Sequence, residues 1–165
     1  MPVGSVLTEA ILGIAAIIVA SLFAGVYFTG VNQVMDAEQL HIDWLKDRLS
    51  HECMILHVYA TTDSNTITLW IKNVGTKAVS QELLKKSELM IISQTRVYYL
   101  LYGGSGESWT FKILNDVDSD DRWDRGETIQ VKAFLNSTLT SGDYQVSFIL
   151  YNGVKCSQEF SPYAF

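Results

Sequence analysis

The sequence predicts an all-β fold, an immunoglobulin-like antiparallel β-sandwich, preceded by one N-terminal transmembrane α-helix. Three observations carry that expectation. No residue between Glu9 and Asp36 is charged. Short runs rich in β-branched and aromatic residues follow one another from Cys53 onward. No segment of helical period separates those runs.

The helix comes first. Ala10 to Met35 reads AILGIAAIIVASLFAGVYFTGVNQVM, and about 20 mostly apolar residues suffice to cross a bilayer core as a helix. No Lys or Arg precedes the run, and it is longer than the apolar region of a secretory signal, so it reads as a permanent span rather than a cleaved signal. Gly13, Ala15, Ala16, Ala20, Ser21, Ala24 and Gly25 form a small-residue stripe. Such residues let membrane helices pack closely, and they are also common in membrane helices generally. Residues 1–9 read as a leader, 10–35 as the span and 36–52 as a helical stalk. Within the stalk, Leu40, Trp44, Leu45 and Leu49 share one face. That stripe either packs on its own domain or pairs with a neighbouring stalk. The first basic residue after the span is Lys46, so charge bias says little about orientation. The composition favours the large C-terminal part lying on the outer side of the membrane.

Residues 53–165 form the sandwich. Strands are expected at Met54–Ala60, Thr66–Lys72, Glu88–Ser93, Arg96–Tyr102, Ser108–Leu114, Glu127–Leu135, Tyr144–Tyr151 and Lys155–Phe160. Period-two alternation is plain in Thr66–Lys72 and in Thr128–Lys132. Turn residues separate the strands, and Asn152-Gly153 between two apolar runs is a hairpin signal. Tyr98 and Tyr99 are adjacent in a strand, so one of them faces outward.

The chemistry in the chain is sparse. A formal charge of −6 and a pI near 4.9 oppose nucleic-acid binding, which needs a basic face to neutralise phosphates. His41, His51 and His57 have no ligand set around them at metal spacing; His41 and His51 read as exposed helix-face residues and His57 as an ordinary strand residue. The Gly-rich stretch Gly103–Gly106 lacks the Lys-Ser/Thr of a phosphate loop and reads as a hairpin loop. No catalytic constellation and no cofactor site emerge, so the sequence is not read as an enzyme. The acidic loop NDVDSDDRWDRGE, from Asn115 to Glu127, places Asp116, Asp118, Asp120 and Glu127 near the spacing of a calcium loop. It has Asp121 where such a loop turns on Gly, and Arg122 and Arg125 lie within it. The loop therefore reads as a solvated turn with internal Asp–Arg pairing, with a bound cation as the alternative. Cys53 and Cys156 open the first strand and sit in the last, so they form either a bridge closing nearly the whole domain or two buried thiols. Asn136-Ser137-Thr138 is an N-glycosylation acceptor pattern.

Gly4, Ser5 and Glu9, five places after the glycine, stand just before the apolar run. This resembles the N-terminus of type IV pilins and archaeal flagellins, in which cleavage follows a Gly or Ala. Here no basic residue precedes the glycine, so the leader is expected to stay uncleaved. With LWIKNV (Leu69–Val74) before Gly75, and WDRGET (Trp123–Thr128) entering a strand, the chain resembles the accessory F and G proteins of the archaeal flagellum, the F type more than the G type. The resemblance implies a motility protein in the cytoplasmic membrane, single-pass, with its sandwich outside the cell. It would act as a stator that anchors the motor to the envelope. The implied partners are a G-type protein and the S-layer protein, with homodimer or heterocomplex assembly. The rival readings are a pilin-like filament subunit and a membrane-tethered envelope binding module.

Overall fold

The computed structural model describes residues 3–164; Met1 and Pro2 of the expected leader lie outside them. Helix α1 spans Val3–Ser50. The chain divides into two compact units between Leu45 and Lys46. The first unit is helix alone, and it is long and apolar enough to cross a membrane. Three of its hydroxyl groups are satisfied within the helix: Thr8, Ser21 and Thr29 donate to the carbonyls of Gly4, Ile17 and Gly25, at 2.8–2.9 Å. In hydrocarbon an unpaired hydroxyl costs free energy, so these back-bonds keep the run compatible with lipid.

The second unit takes in the last turn of α1 and a β-sandwich. Its elements are β1 (Cys53–Ala60), β2 (Thr66–Asn73), β3 (Val79–Ser80), the single-turn α2 (Gln81–Leu84), β4 (Glu88–Ser93), β5 (Val97–Tyr102), β6 (Ser108–Ile113), β7 (Arg122–Trp123), β8 (Thr128–Phe134), β9 (Tyr144–Ile149) and β10 (Lys155–Phe160). The strand order is β1-β2-β8-β6-β5-β4-β9-β10. Folded into two layers, β1-β2-β8-β6 faces β5-β4-β9-β10, which is the immunoglobulin order A-B-E-D over C′-C-F-G. Tyr144, at the start of β9, donates its hydroxyl to the carbonyl of Thr140 and accepts from the Thr140 N–H, both at 3.2 Å. That is the tyrosine corner of immunoglobulin-like sandwiches.

The alternation read from the sequence sets which residues are inside. In β2, Ile67, Leu69 and Ile71 are fully buried, with half-buried residues between them. Ile129, Val131 and Ala133 of β8 and Leu89 and Ile91 of β4 do the same, with Phe148 edge-on to Trp109 at 5.5 Å. Each such large apolar side chain contributes about 1.5–3 kcal/mol relative to exposure.

Three features depart from the expectation. The β5–β6 pair is parallel, matching Leu101 to Ser108 and Tyr102 to Trp109, because the chain crosses from one layer to the other at this point rather than making a hairpin. β3, α2 and β7 are too short to show any period, and the two strands pair Val79 with Trp123. In β1 the register slips between Ile55 and His57; this bulge leaves Leu56 and His57 both outward and returns Val58 to the core.

The outermost strands, β1 and β10, lie side by side. A disulfide joins Cys53 to Cys156 with Cα atoms 5.7 Å apart, and a parallel bridge joins Thr61 to Tyr163 at the other end. The sandwich is therefore stapled along this seam. On its far side, Val97–Leu100 of β5 pair with β4 but, among the described residues, have no strand partner opposite, since β6 meets β5 at Leu101 and Tyr102.

Candidate functional site

Three places in the second unit carry residues singled out in the sequence: a joint under the last turn of α1, the acidic loop beside it, and the surface around β5. His41 belongs to the first unit, and His57 lies on β1 with its ring 5.6 Å from that of Trp70.

At the joint, the loop after β2 grips the chain as it leaves the helix. The N–H groups of Val74 and Gly75 donate to the Glu52 carbonyl, each at 3.0 Å, and Thr76 and Lys77 donate to that of Ser50 at 2.9 and 3.3 Å. Glycine is required at position 75 for a steric reason: a Cβ there would stand 2.6 Å from Glu52 N and 2.7 Å from Ser50 O. Asp47 is the side-chain hub. It takes Lys77 Nζ at 3.1 Å on one oxygen, and the Tyr151 hydroxyl and Asn152 amide at 3.1 and 3.3 Å on the other. Loss of solvent pushes the Asp47 carboxyl up. Hydrogen bonds from Lys77 and Asn152, the charge of His51 and the Tyr151 bond outweigh that and hold its pKa below the ordinary carboxylate value. The same contact, together with burial, pushes the Tyr151 phenol up to about 12, burial being the larger cause. His51 is buried, with Nδ1 2.7 Å from the Asp47 carbonyl and its ring edge-on to Tyr151. Sequence reading places His51 on an exposed helix face; the structure buries it because the chain leaves the helix here and turns under Tyr151.

The acidic loop is organised by its own carboxylates. Glu127 is buried, and its two oxygens accept the N–H groups of Val117 at 3.0 Å and Asp124 at 2.9 Å. Asp116 accepts from Asp120 and Asp121, and Asp120 accepts from Arg122. The carboxylates approach one another in two groups, Asp116/Asp118/Asp120 and Asp118/Asp124/Glu127, each within 4.8 Å. Burial and the charges of Asp120, Asp118 and Glu127 push the Asp124 carboxyl up, against the pull of Arg122. Oxygen donors gathered in this way suit a hard cation; in this loop they also serve as hydrogen-bond acceptors that shape the turn.

The loop and the joint are one assembly. Buried Asn73, the last residue of β2, donates to the carbonyls of Lys77 and Trp123, at 2.9 and 2.8 Å, and accepts from Gly75 N. The fully buried Trp123 donates its indole N–H to the Glu127 carbonyl at 3.0 Å. Thus LWIKNV with Gly75 and WDRGET, far apart in sequence, are the two sides of one hydrogen-bonded frame. No periodic pattern marks it; the signal lies in the motifs themselves.

Around β5, Tyr98 is buried while Tyr99 is 45% exposed, so the expected alternation holds. Trp109 is fully buried and half-buried Tyr102 packs against the core. Val97 and Leu101 are exposed alongside Tyr99, and half-buried Met90 and Ile92 of β4 pair with Tyr99 and Val97. The outer face of β4 and β5 is an apolar surface with Glu88 at its margin, where its carboxylate pushes the Tyr99 phenol up. Asn136 is exposed in the loop between β8 and β9.

Several known proteins resemble this chain. An uncharacterised protein of Archaeoglobus fulgidus is 29% identical over 161 residues, covering 94% of this chain and 97% of that one. The solved archaellum periplasmic stator protein FlaG of Sulfolobus acidocaldarius shares the fold, with TM-score 0.54 at 23% identity over 67% of this chain and 99% of that one. The complex of FlaF and FlaG from the same organism matches at TM-score 0.54 and 24% identity, over 66% of this chain and 87% of that one. The family model for archaeal-type flagellin matches residues 4–160, from the glycine before the apolar run to the last residue of β10, and the chain therefore belongs to the archaeal-type flagellin family.

Proposed function

We propose that this protein is a non-enzymatic, single-pass subunit of the archaellum stator, of the F/G type, that anchors the motor to the cell envelope by binding other proteins. The observation that carries the reading is the outward apolar face of β4 and β5, built on a sandwich shared with FlaG and the FlaF–FlaG complex. Val97, Tyr99 and Leu101 remain exposed on it, and a contiguous apolar patch on a soluble domain marks a docking surface. The partners in this reading are a sandwich protein of the complementary F or G type and the S-layer protein, with the domain outside the cytoplasmic membrane. No cofactor takes part. Deleting the gene should leave filaments assembled but cells unable to swim, with swimming restored by the wild-type chain; a deletion strain that swims normally sinks the proposal.

One observation favours a second reading, a filament subunit. The family match begins at Gly4, and Glu9 follows at the spacing used by processed subunits. Sequencing the N-terminus of the membrane-extracted protein separates the two. Retained Met1 supports the anchor, and a terminus at Ser5 makes the chain a filament subunit.

A further inference from the structure

We propose that Asn136 carries an N-linked oligosaccharide, attached beside the side of β5 that has no strand partner. The segment 136–138 bulges between two buried leucines, each tied to the turn after β1: Leu135 N donates to the Asn65 carbonyl and Leu139 N to that of Ser64, both at 2.8 Å. Between these anchors Asn136 and Thr138 are exposed, and among the described residues neither side chain is committed to a hydrogen bond. Ser137 instead is held, its hydroxyl 3.0 Å from that of Tyr98. The acceptor amide and the hydroxyl two places on, the two groups the pattern requires, are thus presented together on a rigid base.

The surroundings give the modification a use. Tyr98 belongs to β5, and a Cβ at Gly106 would stand 3.5 Å from Asn136 Oδ1, so the acceptor sits between β5 and the loop leading to β6. Glu107 of that loop pairs with Arg96 at 2.9 Å. An unpaired strand edge recruits other strands; a hydrated oligosaccharide at this point keeps the edge Val97–Leu100 from pairing and leaves the outer face of β4 and β5 open to its partner.

The attachment is a glycosyl transfer from a lipid-phosphate-linked oligosaccharide. Asn136 Nδ2 bonds to the anomeric carbon, and the bond from that carbon to the phosphate oxygen breaks. The lipid phosphate leaves with the electron pair, the amide proton passes to a base of the transferase, and nothing is oxidised or reduced.

The experiment is intact mass of the full chain purified from the membranes of the cells that make it, compared with Asn136→Gln, Thr138→Ala and Thr138→Ser. The wild type should exceed its polypeptide mass by a whole set of sugar residues. Asn136→Gln and Thr138→Ala should lose all of that surplus, and Thr138→Ser, which restores the hydroxyl, should keep it. A wild-type chain at polypeptide mass overturns the proposal, as does a surplus that survives both disabling substitutions. The readout is mass, so its outcome is independent of whether the protein is a stator.

Discussion

Gly75 shows most directly how one residue sets the joint. The approach of its α-carbon to the backbone at Ser50 and Glu52 leaves no room for a methyl group, and the neighbouring atoms are backbone, which yields poorly. Gly75→Ala should destabilise the sandwich by about 1–3 kcal/mol, the usual range for overpacking, read as a shift in the denaturant midpoint. The carboxylates of Asp47 and Asp124 act in opposite senses. Asp47 has a lowered pKa in the folded state, so its contribution is present above the unfolded value and is lost as pH falls through the lower, folded one. Asp124 has a raised pKa, so its charge opposes folding at neutral pH and protonation relieves it. Melting temperature measured against pH should therefore fall less steeply on acidification in Asp47→Asn. Asp124→Asn should melt higher than wild type at about pH 7; a lower melting point would mean the carboxylate is held by an attraction instead.

Among the elements, β1 is the one most exposed to loss. It pairs with β2 alone among the described residues, and it receives the chain directly from the joint. The disulfide and the Thr61–Tyr163 bridge bind its free side to β10. Closing a loop of 103 residues stabilises by roughly 4–5 kcal/mol in the chain-entropy model. The double substitution Cys53→Ser, Cys156→Ser should cost about 2–5 kcal/mol and make β1 amides the first to exchange with solvent. Equal protection in β1 and β8 would show that hydrogen bonding alone secures the seam. Within the second unit, Leu49 of the stalk stripe is 83% exposed, so this leucine does not pack on the sandwich.

For the whole molecule, the separation of the joint from the face proposed to dock a partner matters. The frame made by Asn73, Gly75, Trp123 and Glu127 holds the last turn of α1, whereas Val97, Tyr99 and Leu101 lie outward on another part of the sandwich. A charge on that face should abolish partner binding without unfolding the domain. Tyr99→Lys and Leu101→Lys are expected to keep the wild-type melting temperature and to lose the partner on co-purification. Retained co-purification in both variants would move the docking site elsewhere.

The helix, the eight principal strands and the inward faces of β2 and β8 were legible from the residues alone. Their signals are local: an uncharged apolar run and a strict period of two come from hydrophobic transfer and the pleat, which need no partner to be read. β3, α2 and β7 left no such trace, being shorter than any period. The parallel β5–β6 crossing, the burial of His51, the close approach at Gly75 and the use of Glu127 as an internal acceptor were likewise decided by long-range contacts. Each brings together groups that are distant in sequence, where excluded volume and unsatisfied backbone N–H groups select the arrangement.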